Sequence, residues 1–226
     1  MKFKPSYTSS IAEDIMAERL IRAQAVEFLA DAPMRLKSGL ISPVYVDNRK
    51  LFSHPEAWRD IVETMASRVE EYDLEFDIVA GVEAAGSMHA AALAYRLGLP
   101  AIMVRQKAKT YGNHSRIEGG DVKGMRVLLL EDHISTGLSC LDAIRALRGE
   151  GAQVTSITNY AIPETQRLFK QEGIDTYDVI AFEKVVRKAK EMGVIDDEHE
   201  KLVLEWLQTP WTWAAMHGVV ASAIEN

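Results

Sequence analysis

Residues 126–147 read RVLLLEDHISTGLSCLDAIRAL, and this stretch decides the architecture. Val127 to Leu130 are apolar without alternation, the pattern of a strand covered on both faces. The strand runs into two carboxylates, Glu131 and Asp132, and then the loop His133-Ile134-Ser135-Thr136-Gly137-Leu138-Ser139. Leu141, Ile144 and Leu147 follow at helical spacing and predict a helix over 138–149. Small residues at 135, 136, 137 and 139 let backbone N–H groups converge on an anion, and the hydroxyls add donors. The helix N-terminus behind them contributes positive dipole, so a phosphomonoester fits there. Ionised carboxylates accept hydrogen bonds only, which suits sugar hydroxyls, and their charge suits a developing cation or Mg²⁺. Acids plus cradle point to a sugar phosphate with the acids under the ring. The plainer alternative is a helix N-cap at Ser135 or Ser139, with acids placed for the dipole.

Outward from this segment, short apolar runs at 77–81, 101–104, 154–160 and 178–182 read as further strands. They mostly alternate with helical patterns at 86–97, 164–172 and 183–192. Strands spaced by helices indicate a parallel sheet with both faces covered, whose ligands sit at the carboxyl ends of the strands. After Val104 the segment RQKAKTYGNHSRIEGGDVKGM, residues 105–125, shows no period of either kind. Connections beyond about 12–15 residues without structure of their own are usually functional or disordered. This one carries Arg105, Lys107, Lys109, Arg116 and Lys123, opposite in sign to the protein. It reads as a lid for a polyanion, against the plainer reading of a solvated basic loop.

In the amino-terminal part, Ser10 and Glu13 suggest a capping box ahead of Ala12, Met16, Leu20, Ala23 and Val26 at helical spacing. A second helix is expected from Pro55, and a short strand at Val44 to Val46. The chain has 226 residues, 47% hydrophobic and 26% charged, with no repeat, which suits one continuous globular fold. Its 26 Lys+Arg against 33 Asp+Glu give −7, which disfavours a nucleic-acid-coating protein. One cysteine excludes a disulfide framework. No apolar run approaches the roughly 18 residues of a membrane span, and MKFKPSYTSS lacks the apolar middle of a signal peptide. A cytoplasmic setting is expected. Asp132, His133 and Ser135 carry the letters of a hydrolase triad but are too close along one loop to form its relay.

EDHISTGLS, residues 131–139, resembles the phosphoribosyl pyrophosphate (PRPP) signature of the type I phosphoribosyltransferases. LKSGLISPVYVDNRKLFSHP, residues 36–55, is similar to the amino-terminal motif of the orotate phosphoribosyltransferases. Residues 77–112 are similar to that family's pyrophosphate loop, helix and lid, SRIEG at 115–119 to the lid's close, and LEWLQTPWTWAAMHG at 204–218 to the tail of a bacterial subset. The likeness spans roughly residues 9 to 218. It implies an α/β type I phosphoribosyltransferase fold, with a central mainly parallel sheet flanked by helices and a small amino-terminal hood. A single domain over 1–226 follows, with a hood mainly at 1–53, a core at about 54–192 and a helical tail at about 193–226.

The implied activity is transfer of the 5-phosphoribosyl group from PRPP to orotate with Mg²⁺, by a homodimer whose lid is shared across subunits. Glu131 and Asp132 would hold the ribose hydroxyls, and Asp132 the metal through water. Residues His133, Ile134, Ser135, Thr136, Gly137, Leu138 and Ser139 would bind PRPP at the 5-phosphate. Arg105, Gln106, Lys109 and Tyr111 match lid positions facing pyrophosphate, with Lys109 at the catalytic lysine. Lys37, Tyr45, Val46 and Ser135 would lie against the orotate. The chain departs from the family at Gln106, usually lysine, at His133 and Leu138, and in Tyr160-Ala161-Ile162-Pro163-Glu164, where many members carry an arginine for orotate. A sister transferase using another base, or a PRPP-binding regulator on the same fold, stays open on sequence alone.

Overall fold

The computed structural model describes residues 9–107 and 115–219. Its elements run α1 (Ser9–Arg22), β1 (Val26–Phe28), β2 (Met34–Arg35), β3 (Ile41–Ser42), β4 (Val44–Val46), a 3-10 helix (Asn48–Ser53), α2 (Pro55–Glu71), β5 (Ile78–Val82), α3 (Ala85–Leu97) and β6 (Ala101–Val104). The chain continues through β7 (Ile117–Glu118), β8 (Arg126–Glu131), α4 (Leu138–Gly149), β9 (Gln153–Thr158), α5 (Pro163–Gln171), β10 (Thr176–Asp178), α6 (Phe182–Glu191), α7 (Asp197–Gln208) and α8 (Trp213–Met216).

One sheet has the strand order β10-β9-β8-β5-β6-β7 and is parallel apart from β7, which runs antiparallel to β6. Alternation along the strands sorts side chains to two cores. Val79, Leu128 and Leu130 pack with buried residues of α1, α2, α3, α6 and α7. Ile78, Ala80, Val127 and Leu129 pack on the other face with Cys140, Ala143, Ile144 and Leu147 of α4 and Phe169 of α5. Both faces are therefore covered, which is why these strands read as unbroken apolar runs. The hood consists of two antiparallel pairs, β1 with β4 and β2 with β3.

The type I phosphoribosyltransferase architecture expected from the sequence is present; α4 and β6 begin and end where they are expected, and α2 begins at Pro55. Several details differ. α1 ends at Arg22, and Val26, read at helical spacing with it, instead opens β1 opposite Val46 of β4. The strand read at 154–160 runs from Gln153 to Thr158. Ser10 lies inside α1, and Glu13 turns to Arg68 of α2 and Lys184 of α6 instead of reaching back to a cap. A carboxylate packed between two helices finds stronger partners in their cations than in a backbone amide. The last strand ends at Asp178, and the run Val179 to Phe182 is the strand-to-helix turn into α6, with Val179, Ile180 and Phe182 buried: Val179 and Ile180 amides donate to Thr158 and Asn159 carbonyls at 2.8 and 2.9 Å. The segment 105–125 contains β7, which pairs Met103 and Val104 with Glu118 and Ile117. A two-residue strand has no period to read, and its partner alone creates it.

Candidate active site

β5, at the middle of the sheet, is followed by β6 on one side and, after β7, by β8 on the other. The crevice between the carboxyl ends of β5 and β8 is thus a switch point, the usual ligand position in such sheets. A cavity of about 1010 Å³ lies there. It is lined by the hood (Arg35, Lys37, Tyr45, Val46), by Glu83 to Ala85 after β5, by Gln106 after β6, and by the whole run 131–140 after β8.

Two helices present their N-termini to this space. α4 starts behind Gly137, which has φ +76° and no side-chain capping bond. None of the amides of Ser135 to Ser139 has a backbone acceptor among the described residues, so an anion would find them available. Glycine is required at 137 twice over: the left-handed backbone disfavours a side chain, and a Cβ there would stand 2.4 Å from Phe169 Cε1 and 2.8 Å from Thr165 Cγ2. Thr165 also donates its hydroxyl to the Ser135 carbonyl, holding the loop from behind. α3 starts after Ala84, again with no side-chain cap. Its first turn packs against β8 through glycine: a Cβ on Gly86 would come 2.6 Å from the Leu130 carbonyl oxygen. His89, fully buried, secures that turn from inside, its Nδ1 facing the Ala85 carbonyl at 2.9 Å and its Nε2 near Asn159 Nδ2 at 3.3 Å. Burial lowers its pKa, and a neutral ring with Nδ1–H toward the carbonyl satisfies both contacts.

Between the two helix ends lie Glu131 and Asp132, 8% and 9% exposed. Burial and then the neighbouring Asp132 charge push the Glu131 carboxyl well above the usual range, toward its protonated form. Burial pushes Asp132 the same way, but the His133 imidazole beside it, Nδ1 to Oδ2 at 3.1 Å, holds its carboxyl below the usual range. His133 loses some basicity to burial, and Asp132 more than restores it. The two shifts run in opposite directions, Glu131 toward its neutral form and Asp132 toward its ionised one, which favours donor and acceptor capacity side by side.

The sequence-derived set is largely brought together. Glu131, Asp132 and the loop to Ser139 line the cavity with Lys37, Tyr45, Val46 and Gln106. Gln106 is tied to the α3 side, its amide on Glu83 Oε2 at 3.1 Å and its Nε2 on the Glu83 carbonyl at 3.0 Å. Ile134 differs in role: it is buried, and its N–H goes to the Tyr160 carbonyl at 3.0 Å, so it props the loop and offers no amide to a ligand. Arg105 lies outside the lining, with its guanidinium on Glu118 of β7 at 3.0 Å, because the β6–β7 pairing puts those side chains together. Lys109 and Tyr111 lie outside the described residues. Sequence reasoning missed Glu83, His89, Asn48 and Tyr160, whose local sequence carries no signal because their partners are brought to them by the fold.

Residues 47–192 match the Phosphoribosyl transferase domain family. The chain is 41% identical over 201 residues to the orotate phosphoribosyltransferase of Coxiella burnetii, covering 88% of this chain and 96% of that one. Among solved structures it is similar to orotate phosphoribosyltransferase from Aeropyrum pernix, with TM-score 0.67 and 29% identity, covering 80% of this chain and 99% of that one. It is also similar to the Mycobacterium tuberculosis orotate phosphoribosyltransferase in complex with 5-phospho-alpha-D-ribosyl 1-diphosphate, with TM-score 0.60 and 26% identity, covering 77% of this chain and 98% of that one.

Proposed function

Because the chain belongs to the phosphoribosyl transferase family, and within it to the orotate phosphoribosyltransferases, we propose that it joins the 5-phosphoribosyl group of PRPP to N1 of orotate, releasing pyrophosphate and forming orotidine 5′-monophosphate for pyrimidine synthesis. The single observation that carries this reading is the pair of uncapped helix N-termini flanking Glu131 and Asp132 at one crevice. PRPP has a phosphate at one end, a diphosphate at the other and a ribose between, and the crevice offers complementary groups in that order.

In this reading the amides of Ser135 to Ser139 take the 5-phosphate, and the α3 turn faces the diphosphate. Asp132 accepts from a ribose hydroxyl, with Glu131 beside it facing the same ring. As the C1–O bond breaks, positive charge spreads over the ring, and the Asp132 carboxylate beneath it stabilises that charge. Orotate N1 supplies the electron pair for the new bond and gives up its proton. Lys37, Tyr45 and Val46, on the hood side, orient the base. Lys109, with Tyr111, would meet the departing diphosphate from the lid segment, and a closed lid keeps water from the activated sugar. Arg105 would have to leave Glu118 to join them.

Mg²⁺ belongs to the same proposal. Among the described residues no three His, Cys, Asp or Glu converge as a full metal site. One ionised carboxylate at the cavity, Asp132, with Glu131 beside it, fits a hard cation that keeps water and substrate oxygens as its other ligands. When bound, the ion would add positive charge at the leaving diphosphate. Among the described residues no helix is long and apolar enough to cross a membrane, and a cytoplasmic setting is proposed with the single thiol, Cys140, buried and unpaired. A homodimer is also proposed. It is supported by Met88 and Tyr95 on the outer face of α3, 52% and 91% exposed. The hood, core and tail are read as one domain, supported by one core cluster that joins α1, α2, α6 and α7 to the sheet.

Purified protein given PRPP, Mg²⁺ and orotate is expected to consume orotate absorbance stoichiometrically with pyrophosphate. Turnover of a different base in a panel, with none of orotate, would move the chain to a sister transferase. Gly137→Ala probes the cradle. A left-handed non-glycine residue costs about 1–3 kcal/mol, and the added Cβ must displace Phe169. Calorimetry is expected to show PRPP affinity down by roughly tenfold or more, since about 1.4 kcal/mol is tenfold, with a lower melting temperature. Unchanged affinity would contradict the cradle.

A further inference from the structure

We propose that Asn48 and Tyr160 are positioning residues that hold the Asp132 carboxylate for its ribose contact, an inference that rests on the role given to Asp132 above. Asn48 opens the 3-10 helix behind the hood and is 0% exposed, 84 residues from Asp132 along the chain. Its Nδ2 donates to the Asp132 carbonyl oxygen at 3.0 Å and to Asp132 Oδ2 at 3.4 Å. The Tyr160 hydroxyl donates to Asn48 Oδ1 at 3.3 Å. An ionised carboxylate only accepts, so the amide nitrogen must face Asp132 and the oxygen is left for Tyr160.

Tyr160 is fixed in turn. Its ring lies 4.8 Å from that of Phe182, and its carbonyl receives the Ile134 amide at 3.0 Å. The line Tyr160–Asn48–Asp132 thus joins three separate pieces: the end of β9, the hood and the end of β8. Two donors, Asn48 Nδ2 and His133 Nδ1, converge on Oδ2, which sets the plane of the carboxylate. A free carboxylate would sample other rotamers, and the ribose would have to select one. Outer partners of this kind act through the residue they orient, and their loss typically costs roughly 10–100-fold in activity or metal affinity.

The test is a double-mutant cycle on the whole chain with steady-state kinetics, PRPP calorimetry and thermal melts. Asn48→Ala is expected to lower kcat/KM for PRPP roughly 10–100-fold, with the KM for orotate unchanged. Tyr160→Phe, which keeps the ring on Phe182, is expected to lower it in the same direction by a smaller factor. In an Asp132→Asn background both losses should largely vanish, because residues acting through a shared partner are not additive. Equal losses in the two backgrounds, or a shift in orotate KM alone, would overturn the proposal in favour of a general packing role. If Asn48→Ala does not fold, Tyr160→Phe carries the same comparison. Failure of the parent protein to bind PRPP is seen before any variant is made and overturns the role of Asp132 itself.

Discussion

Asp132→Asn is expected to lower kcat/KM for PRPP about 100-fold while the protein still folds. The side chain keeps its size, and the Asn48 contact to the backbone carbonyl of residue 132 is untouched by the change. What is lost is the Asp132 charge, the member of the acid pair whose carboxyl is held below the usual range while that of Glu131 is pushed up. Hydrogen bonds to charged groups contribute about 1.5–3 kcal/mol, and about 1.36 kcal/mol is tenfold in rate. In the proposed complex the carboxylate also faces the ring in which positive charge develops, so kcat should fall along with affinity. The Mg²⁺ concentration giving half-maximal rate should rise in the same variant. Steady-state kinetics with varied PRPP and Mg²⁺ decide the matter; parent-like values of both would remove Asp132 from the chemistry.

Lys109→Ala is expected to lower kcat by about 10²–10³, the usual effect of removing one preorganised stabiliser of developing charge. The affinity for PRPP should change much less. In the proposed complex a diphosphate still attached to ribose already has the α3 turn to face, whereas the charge that accumulates as the C1–O bond breaks needs a cation brought to it. A group that acts mainly in the transition state alters kcat more than binding. Pre-steady-state turnover paired with PRPP calorimetry separates the two. A variant that binds PRPP 100-fold more weakly and turns over at the parent rate would make Lys109 a ground-state contact.

Why Asp132 is legible in the sequence, while Asn48 is not, is a matter of range. β8 and α4 are strongly periodic and adjacent, so the loop between them, with its acids and small residues, is legible as a unit. The same holds for the parallel sheet, whose strands are apolar on both sides because α2, α3 and α6 cover one face and α4 and α5 the other. β7 escaped because two residues carry no period, and with it went the position of Arg105, whose guanidinium donates to Glu118 of that strand. Val179, Ile180 and Phe182 are apolar because they are buried, and burial alone does not distinguish a strand from a turn into a helix. An asparagine after Val46-Asp47 reads as a turn residue. Only the packing of the hood over the sheet brings it to Asp132.

The account stands most directly on one structure: crystals of this protein soaked with PRPP and Mg²⁺. It predicts density for the 5-phosphate over the amides of Ser135 to Ser139, with ribose hydroxyls at Glu131 and Asp132 and the diphosphate toward Glu83 to Ala85. A fully occupied sugar phosphate bound anywhere else, with that crevice holding only solvent, would contradict it.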